Sequence, residues 1–219
     1  MDIDTMNEVT TFSLEQPIPV FPLNDSVLLP YSTIPIHIFE PRYRSMVEDA
    51  LDAVGLLALG SFVETDLTED QYLYDAPPLN ERVGLGYVEQ YRKLDDGRFV
   101  IVLRGLVRAI IREEVESPLY RSAYLKPVTS VLGDDARMAA LRERFSSLLA
   151  DSKLIQDDAR DDVLEKAEKD PLDRFVDELA GWTISDTETL DMLLGEDRIA
   201  VRAEHMIDHL ETAKSVGLG

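Results

Sequence analysis

The amino-acid sequence predicts an α+β fold in two parts, and two observations carry that prediction. From Pro17 to about Thr129 the apolar residues alternate, or run in short blocks between turn signals, which is the period of strands. After Gly133 they recur at helical spacing instead. The change of period divides the chain into a flexible amino-terminal segment, residues 1–15, a β domain, residues 16–130, and a helical subdomain, residues 134–213.

The β part is expected to contain strands at Ile18–Phe21, Val27–Leu29 with Ile34–Ile38, Leu56–Val63, Val83–Tyr91, Phe99–Ile111 and Tyr120–Lys126. Leu94-Asp95-Asp96-Gly97-Arg98 places an Asp-Gly turn between two alternating runs, a strong hairpin signal because glycine tolerates positive φ. Gly105, inside the following long run, marks a bulge or a close backbone approach. Pro41 opens the helix of this part, with Tyr43, Met46, Val47, Ala50 and Leu51 on one face and a Glu40–Arg44 pair at i,i+4.

The helical part reads from its apolar faces and caps. Met138, Leu141, Phe145, Leu148 and Leu149 make one face. Pro171 begins a second segment with Leu172, Phe175, Val176 and Leu179, and Ser185-x-x-Glu188 reads as a capping box before Leu190, Leu193 and Leu194. Ile199, Ala203, Met206, Ile207 and Leu210 give the inward stripe of a last helix, leaving Glu204, Asp208 and Glu211 outside. Asp151–Asp170, rich in charge and weak in period, is expected to be a frayed helix or an acidic connection.

Composition bounds the function. With 45% hydrophobic residues in 219, a core of ordinary size is available, and no apolar run is long enough to span a bilayer. The acidic start MDIDTMNEVTTF is unlike a signal peptide, so a cytoplasmic location and no membrane partner are expected. The absence of cysteine removes disulfides, thiolate catalysis and cysteine-ligated metals. A net charge of −21, from 22 basic against 43 acidic side chains, repels a phosphate backbone and argues against a nucleic-acid partner.

Two blocks carry a family resemblance. Val20–Met46 reads VFPLNDSVLLPYSTIPIHIFEPRYRSM, and Val83–Ile111 reads VGLGYVEQYRKLDDGRFVIVLRGLVRAII, with a GxG strand, a hairpin and an RG-containing strand. Together they resemble the amino-terminal, substrate-engaging domain family of Lon proteases, and the first block is most similar to free-standing members that lack the ATPase and protease domains. Asp170-Pro171, Leu179-Ala180, Leu190, Leu193-Leu194 and Asp197-Arg198 extend the likeness, more weakly, through the helical part. The resemblance implies a PUA-like β barrel with one packed helix, followed by a helical subdomain. It also implies a module without catalysis of its own that binds unfolded or extended polypeptide segments, with a protease or quality-control partner.

The catalytic signals are weak. No Gly-Lys dipeptide exists, so a phosphate-cradling loop of that type is excluded, and no serine–lysine domain is recognisable. Gly84-Leu85-Gly86 sits inside an alternating strand and opens no helix, so no nucleotide cofactor is expected. His205 and His209, one helical turn apart beside Glu204 and Asp208, are weak metal candidates without a third ligand, and no metal is assigned. An unrecognised hydrolase and a PUA-like RNA-binding barrel are the alternatives. Aromatic side chains near loops, Tyr31, Tyr72 and Tyr74, with Phe39 and Tyr43 at the start of the first helix, are the candidate substrate contacts, because such rings offer amphipathic contact area. The competing reading makes the same rings part of the core. Oligomeric state is left open.

Overall fold

A computed structural model describes residues 14–63, 68, 70–71, 77–115, 119–150 and 157–215. In chain order these form β1 (Ile18–Pro22), β2 (Thr33–Ile38), α1 (Pro41–Asp52), β3 (Leu56–Gly60), β4 (Arg82–Lys93), β5 (Phe99–Val115) and β6 (Arg121–Val128). Five further helices follow: α2 (Asp135–Ala150), α3 (Asp157–Lys169), α4 (Leu172–Thr183), α5 (Thr187–Gly195) and α6 (Ile199–Ser215). All but the last two residues of the expected flexible amino terminus lie outside the described residues.

The sheet order is β2-β5-β4-β3-β1-β6, with β5 also pairing β6. β1 and β3 are parallel and the other pairs are antiparallel. The fold is therefore α+β as expected, but the expected barrel is a mixed sheet that curls on itself without closing through all its strands. The cause is the length of β5. Its 17 residues pair with β2 at one end and with β6 at the other, so β2 is left outside the turn of the sheet as an edge strand.

The Asp-Gly turn forms as the hairpin signal requires, with Gly97 at φ 82° and the Leu94 amide donating to the Arg98 carbonyl at 2.8 Å. Val27–Leu29 is not a strand. It is a stretch outside the sheet ladder, buried between the sheet and the helices, with Leu28 and Leu29 fully buried. Its passage explains the glycines of β4 and β5. A Cβ on Gly84 would meet the Leu28 carbonyl oxygen at 2.0 Å, and one on Gly105 would meet the Leu29 carbonyl oxygen at 2.0 Å.

Helix α1 buries Tyr43, Met46, Val47 and Ala50 against Phe21, Leu28, Ile38, Leu57, Phe99 and Ile101. The Glu40–Arg44 pair does not form: Glu40 holds Arg42 at 3.0 Å, while Arg44 reaches the Asp96 carbonyl. The helical core gathers Leu141, Phe145, Phe175, Leu179, Leu193, Met206 and Ile207, and takes in Val27 and Leu29 from the β part. Residues 157–169 are a helix, not a connection, because Val163 and Ala167 insert into that core one turn apart. The cap of α5 is Asp186, not Ser185: its carboxylate accepts from the Thr189 amide at 2.8 Å.

Polar contacts tie the helices to the sheet. Arg108 of β5 makes a bidentate pair with Asp177 of α4, at 2.5 and 2.7 Å, and Arg202 of α6 lies 3.2 Å from the same carboxylate. All three side chains are buried. Arg82 of β4 makes a second, half-exposed bidentate pair with Asp197, and Ser61 donates to Asp191 of α5.

Candidate functional site

The turn into β2 is where backbone geometry departs most from the ordinary. Tyr31 has φ 65°, the positive φ that a non-glycine residue adopts at a cost. Its amide donates to the Gly105 carbonyl at 2.9 Å, and the Gly105 amide donates to the Ser32 carbonyl at 2.9 Å. Two residues of one strand thus face one of the other, with the first left-handed, which is the pattern of a G1-type bulge with tyrosine in glycine's place. Ser32 fixes the turn from inside, its hydroxyl donating to the Leu29 carbonyl at 2.7 Å.

The bulge sets the register of β2. With Ser32 bonded to Gly105, alternation directs the backbone groups of Ile34, Ile36 and Ile38 toward β5 and those of Thr33, Pro35 and His37 outward. Pro35 then loses nothing by lacking an N–H, since its missing donor faces away from the ladder. Thr33, Pro35 and His37 are exposed, and their outward amides and carbonyls have no partner among the described residues. Side chains on this outer face continue to Phe39, 60% exposed, whose ring lies 6.1 Å from that of His37.

At the beginning of β2 the sheet and the helical part leave a cleft of about 160 Å³. Val27, Ile34, Ile184 and Leu190 supply apolar lining; Asp25, Ser26, Ser32, Thr33, Ser185 and Thr187 supply polar groups. Gly181 lets α4 come this close, since a Cβ there would meet the Ser32 Cβ at 2.7 Å. Tyr31 stands beside the turn with the Arg174 guanidinium 5.5 Å from its ring centre. Burial pushes its phenol pKa up, with Asp173 and Asp177 adding to the effect and Arg174 opposing it. The arrangement offers backbone groups without a partner among the described residues, an apolar recess with hydroxyls at its rim and, at the far end of β2, the exposed ring of Phe39, which are the means of holding a chain segment.

The five aromatic candidates separate. Tyr31 and Phe39 flank β2 at its two ends. Tyr43 is a core ring, 4% exposed and 4.5 Å from Phe21, with no surface to offer a ligand. Tyr72 and Tyr74 lie outside the described residues. His205 is exposed and His209 half-buried on α6, and no group of three or more metal-ligating side chains occurs among the described residues. Sequence reasoning missed the edge and the cleft, although Pro35 within an alternating run is the signal of an edge strand.

Solved structures share this architecture. The amino-terminal domain of the Mycobacterium avium complex Lon protease superposes with TM-score 0.66 at 17% identity, covering 90% of this chain and 98% of that one. A Lon N-terminal domain protein from Xanthomonas campestris gives TM-score 0.54 at 20% identity, covering 88% and 98%. The fold is that of Lon amino-terminal domains. Among curated proteins, the Haemophilus influenzae Lon protease is 22% identical over 92% of this chain and 25% of its own length. Lon protease 1 of Thermus thermophilus is 26% identical over 79% of this chain and 22% of its own. The chain thus spans about a quarter of the length of these relatives or less. The family model described as the ATP-dependent protease La (LON) substrate-binding domain matches residues 17–212, and the chain belongs to that family.

Proposed function

We propose that the chain recognises protein substrates by binding unfolded or extended polypeptide segments, without chemistry of its own, in the service of proteolysis or protein quality control. The observation that carries this reading is the exposed edge of β2, set between the cleft and Phe39 and joined to the left-handed Tyr31 turn. Membership of a substrate-binding family supports it. Polar groups line the cleft with one carboxylate, Asp25, and no imidazole among them, a composition suited to holding a segment. Fluorescence anisotropy with a labelled, permanently unfolded protein and with its native counterpart tests the reading. The unfolded form is expected to bind and the native form not. Equal affinity for the two, or binding of neither, would overturn it, as would ATP or casein turnover that persists through repurification.

A further inference from the structure

We infer that β2 accepts an extended, apolar, non-acidic polypeptide segment as an added β-strand, with one of its side chains seated in the cleft at the beginning of the strand. The inference rests on the polypeptide-binding reading and specifies its mode. Edges of sheets are usually guarded by charged side chains, by proline, by bulges that twist the strand away, or by a covering element, and the one such guard within β2 is Pro35, which removes a single outward amide. β2, Thr-Ile-Pro-Ile-His-Ile, carries no carboxylate, ammonium or guanidinium in a chain that is 30% charged. Its bulge lies at Tyr31-Ser32, before the strand begins, so Thr33–Ile38 runs as a continuous edge of about 20 Å at the usual rise per residue. The amides of Thr33 and His37 and the carbonyls of Thr33, Pro35 and His37 face outward along it. Among polypeptide elements, an edge of this kind is matched by another extended backbone; a helix has no row of amides to spare for it.

The cleft supplies what main-chain pairing lacks, a discriminating contact. Thr33 and Ile34 belong both to β2 and to the cleft wall, so a segment paired with the strand leads directly into the recess. Val27, Ile34, Ile184 and Leu190 favour an apolar side chain there. Asp25, in the same lining, and the net charge of −21 exclude acidic segments and favour a basic residue beside the apolar ones.

The probe is a short fluorescein-labelled peptide in which Val and Thr alternate and an Arg stands at one end, compared with the same peptide N-methylated at consecutive central amides. Methylation removes the donors and the room for strand pairing while keeping every side chain. The unmethylated peptide is expected to bind the full chain at least about tenfold more tightly than the methylated one, the cost of a few net hydrogen bonds. His37→Pro, which deletes an outward amide, is expected to weaken binding by a similar factor relative to His37→Ala, which removes the imidazole alone, and to leave the thermal transition in place. Leu132→Ser, at an exposed position on the loop before α2, is expected to change nothing. Equal binding of the two peptides would overturn strand addition while leaving polypeptide recognition intact, and it decides the matter even if His37→Pro fails to fold. If the unmethylated and methylated peptides both fail to bind while an unfolded protein binds, the mode is wrong; if nothing binds, the reading beneath it is wrong as well. A dimer by light scattering that His37→Pro dissolves, with no peptide affinity, would make a second copy the occupant and overturn the proposal.

Discussion

Gly84 shows at the scale of one residue how a family motif becomes a physical requirement. The Leu28 carbonyl occupies the space a side chain would need, 2.0 Å from an ideal Cβ, and it belongs to backbone buried between sheet and helices. No rotamer change can relieve such a contact. Gly84→Ala is expected to destabilise the fold by about 1–3 kcal/mol or more, as overpacking of a tight core does. Urea denaturation measures it, and a variant as stable as the parent would show that Val27–Leu29 does not thread there. The glycine itself was legible in the sequence as a feature of the strand, and Gly105 as a close approach; what approached was not. The apolar run Val27-Leu28-Leu29 reads as a strand because burial on every side and pairing in a sheet leave the same composition. Tyr31 was legible only as an aromatic near a turn, since its positive φ depends on the distant Gly105.

Among the elements, those with a dense periodic face matched the sequence best: α1, the β4–β5 hairpin and α6 lie where their patterns put them. α3 was obscured because it buries little beyond Val163 and Ala167 and exposes Asp161, Asp162, Glu165 and Glu168 to water. The edge position of β2 was obscured because strand order is a tertiary fact, hinted at only by Pro35. The junction between α5 and α6 is an element boundary with a titratable lock. Glu196 accepts from the Arg198 amide at 2.8 Å and makes a two-pronged contact with its guanidinium. Those bonds from Arg198 hold the carboxyl pKa well below its ordinary value, at about 2. A depressed carboxyl stabilises the fold above its unfolded-state value, near 4.5, and that contribution is lost as pH falls toward about 2. Asp191, half-buried on α5, works with the opposite sign: burial raises its pKa, so its contribution declines as pH rises through that raised value. Glu196→Gln is therefore expected to flatten the loss of stability between about pH 4.5 and about 2, read as the urea midpoint against pH. An acid limb as steep as the parent's would assign that loss to other carboxylates.

Taken whole, the molecule carries a buried ionic contact between its two halves that sequence alone could not show. Arg108, Asp177 and Arg202 are unremarkable in the linear chain, and they meet only because β5, α4 and α6 pack together. Two guanidinium groups share one carboxylate, and the second charge is spread over the Glu196 and Asp197 carbonyls and the Ser130 hydroxyl, which accept from Arg202. Burial lowers the pKa of Arg202 while the Asp177 carboxylate opposes that shift. Removing the carboxylate charge would leave two cations, at 2% exposure or less, without the counter-charge they both touch. Asp177→Asn is expected to cost about 3–5 kcal/mol, the range seen when one partner of a buried pair is lost. The loss falls on the contact between sheet and helices, so it should also divide the unfolding. Trp182, the one tryptophan, lies on α4 and reports the helical part by fluorescence. In the parent its transition in urea is expected to coincide with that of far-ultraviolet circular dichroism. In Asp177→Asn the fluorescence transition should come first. A variant whose two transitions still coincide, at an unchanged midpoint, would show that apolar packing through Val27 and Leu29 suffices to join the halves and that the ionic contact is dispensable.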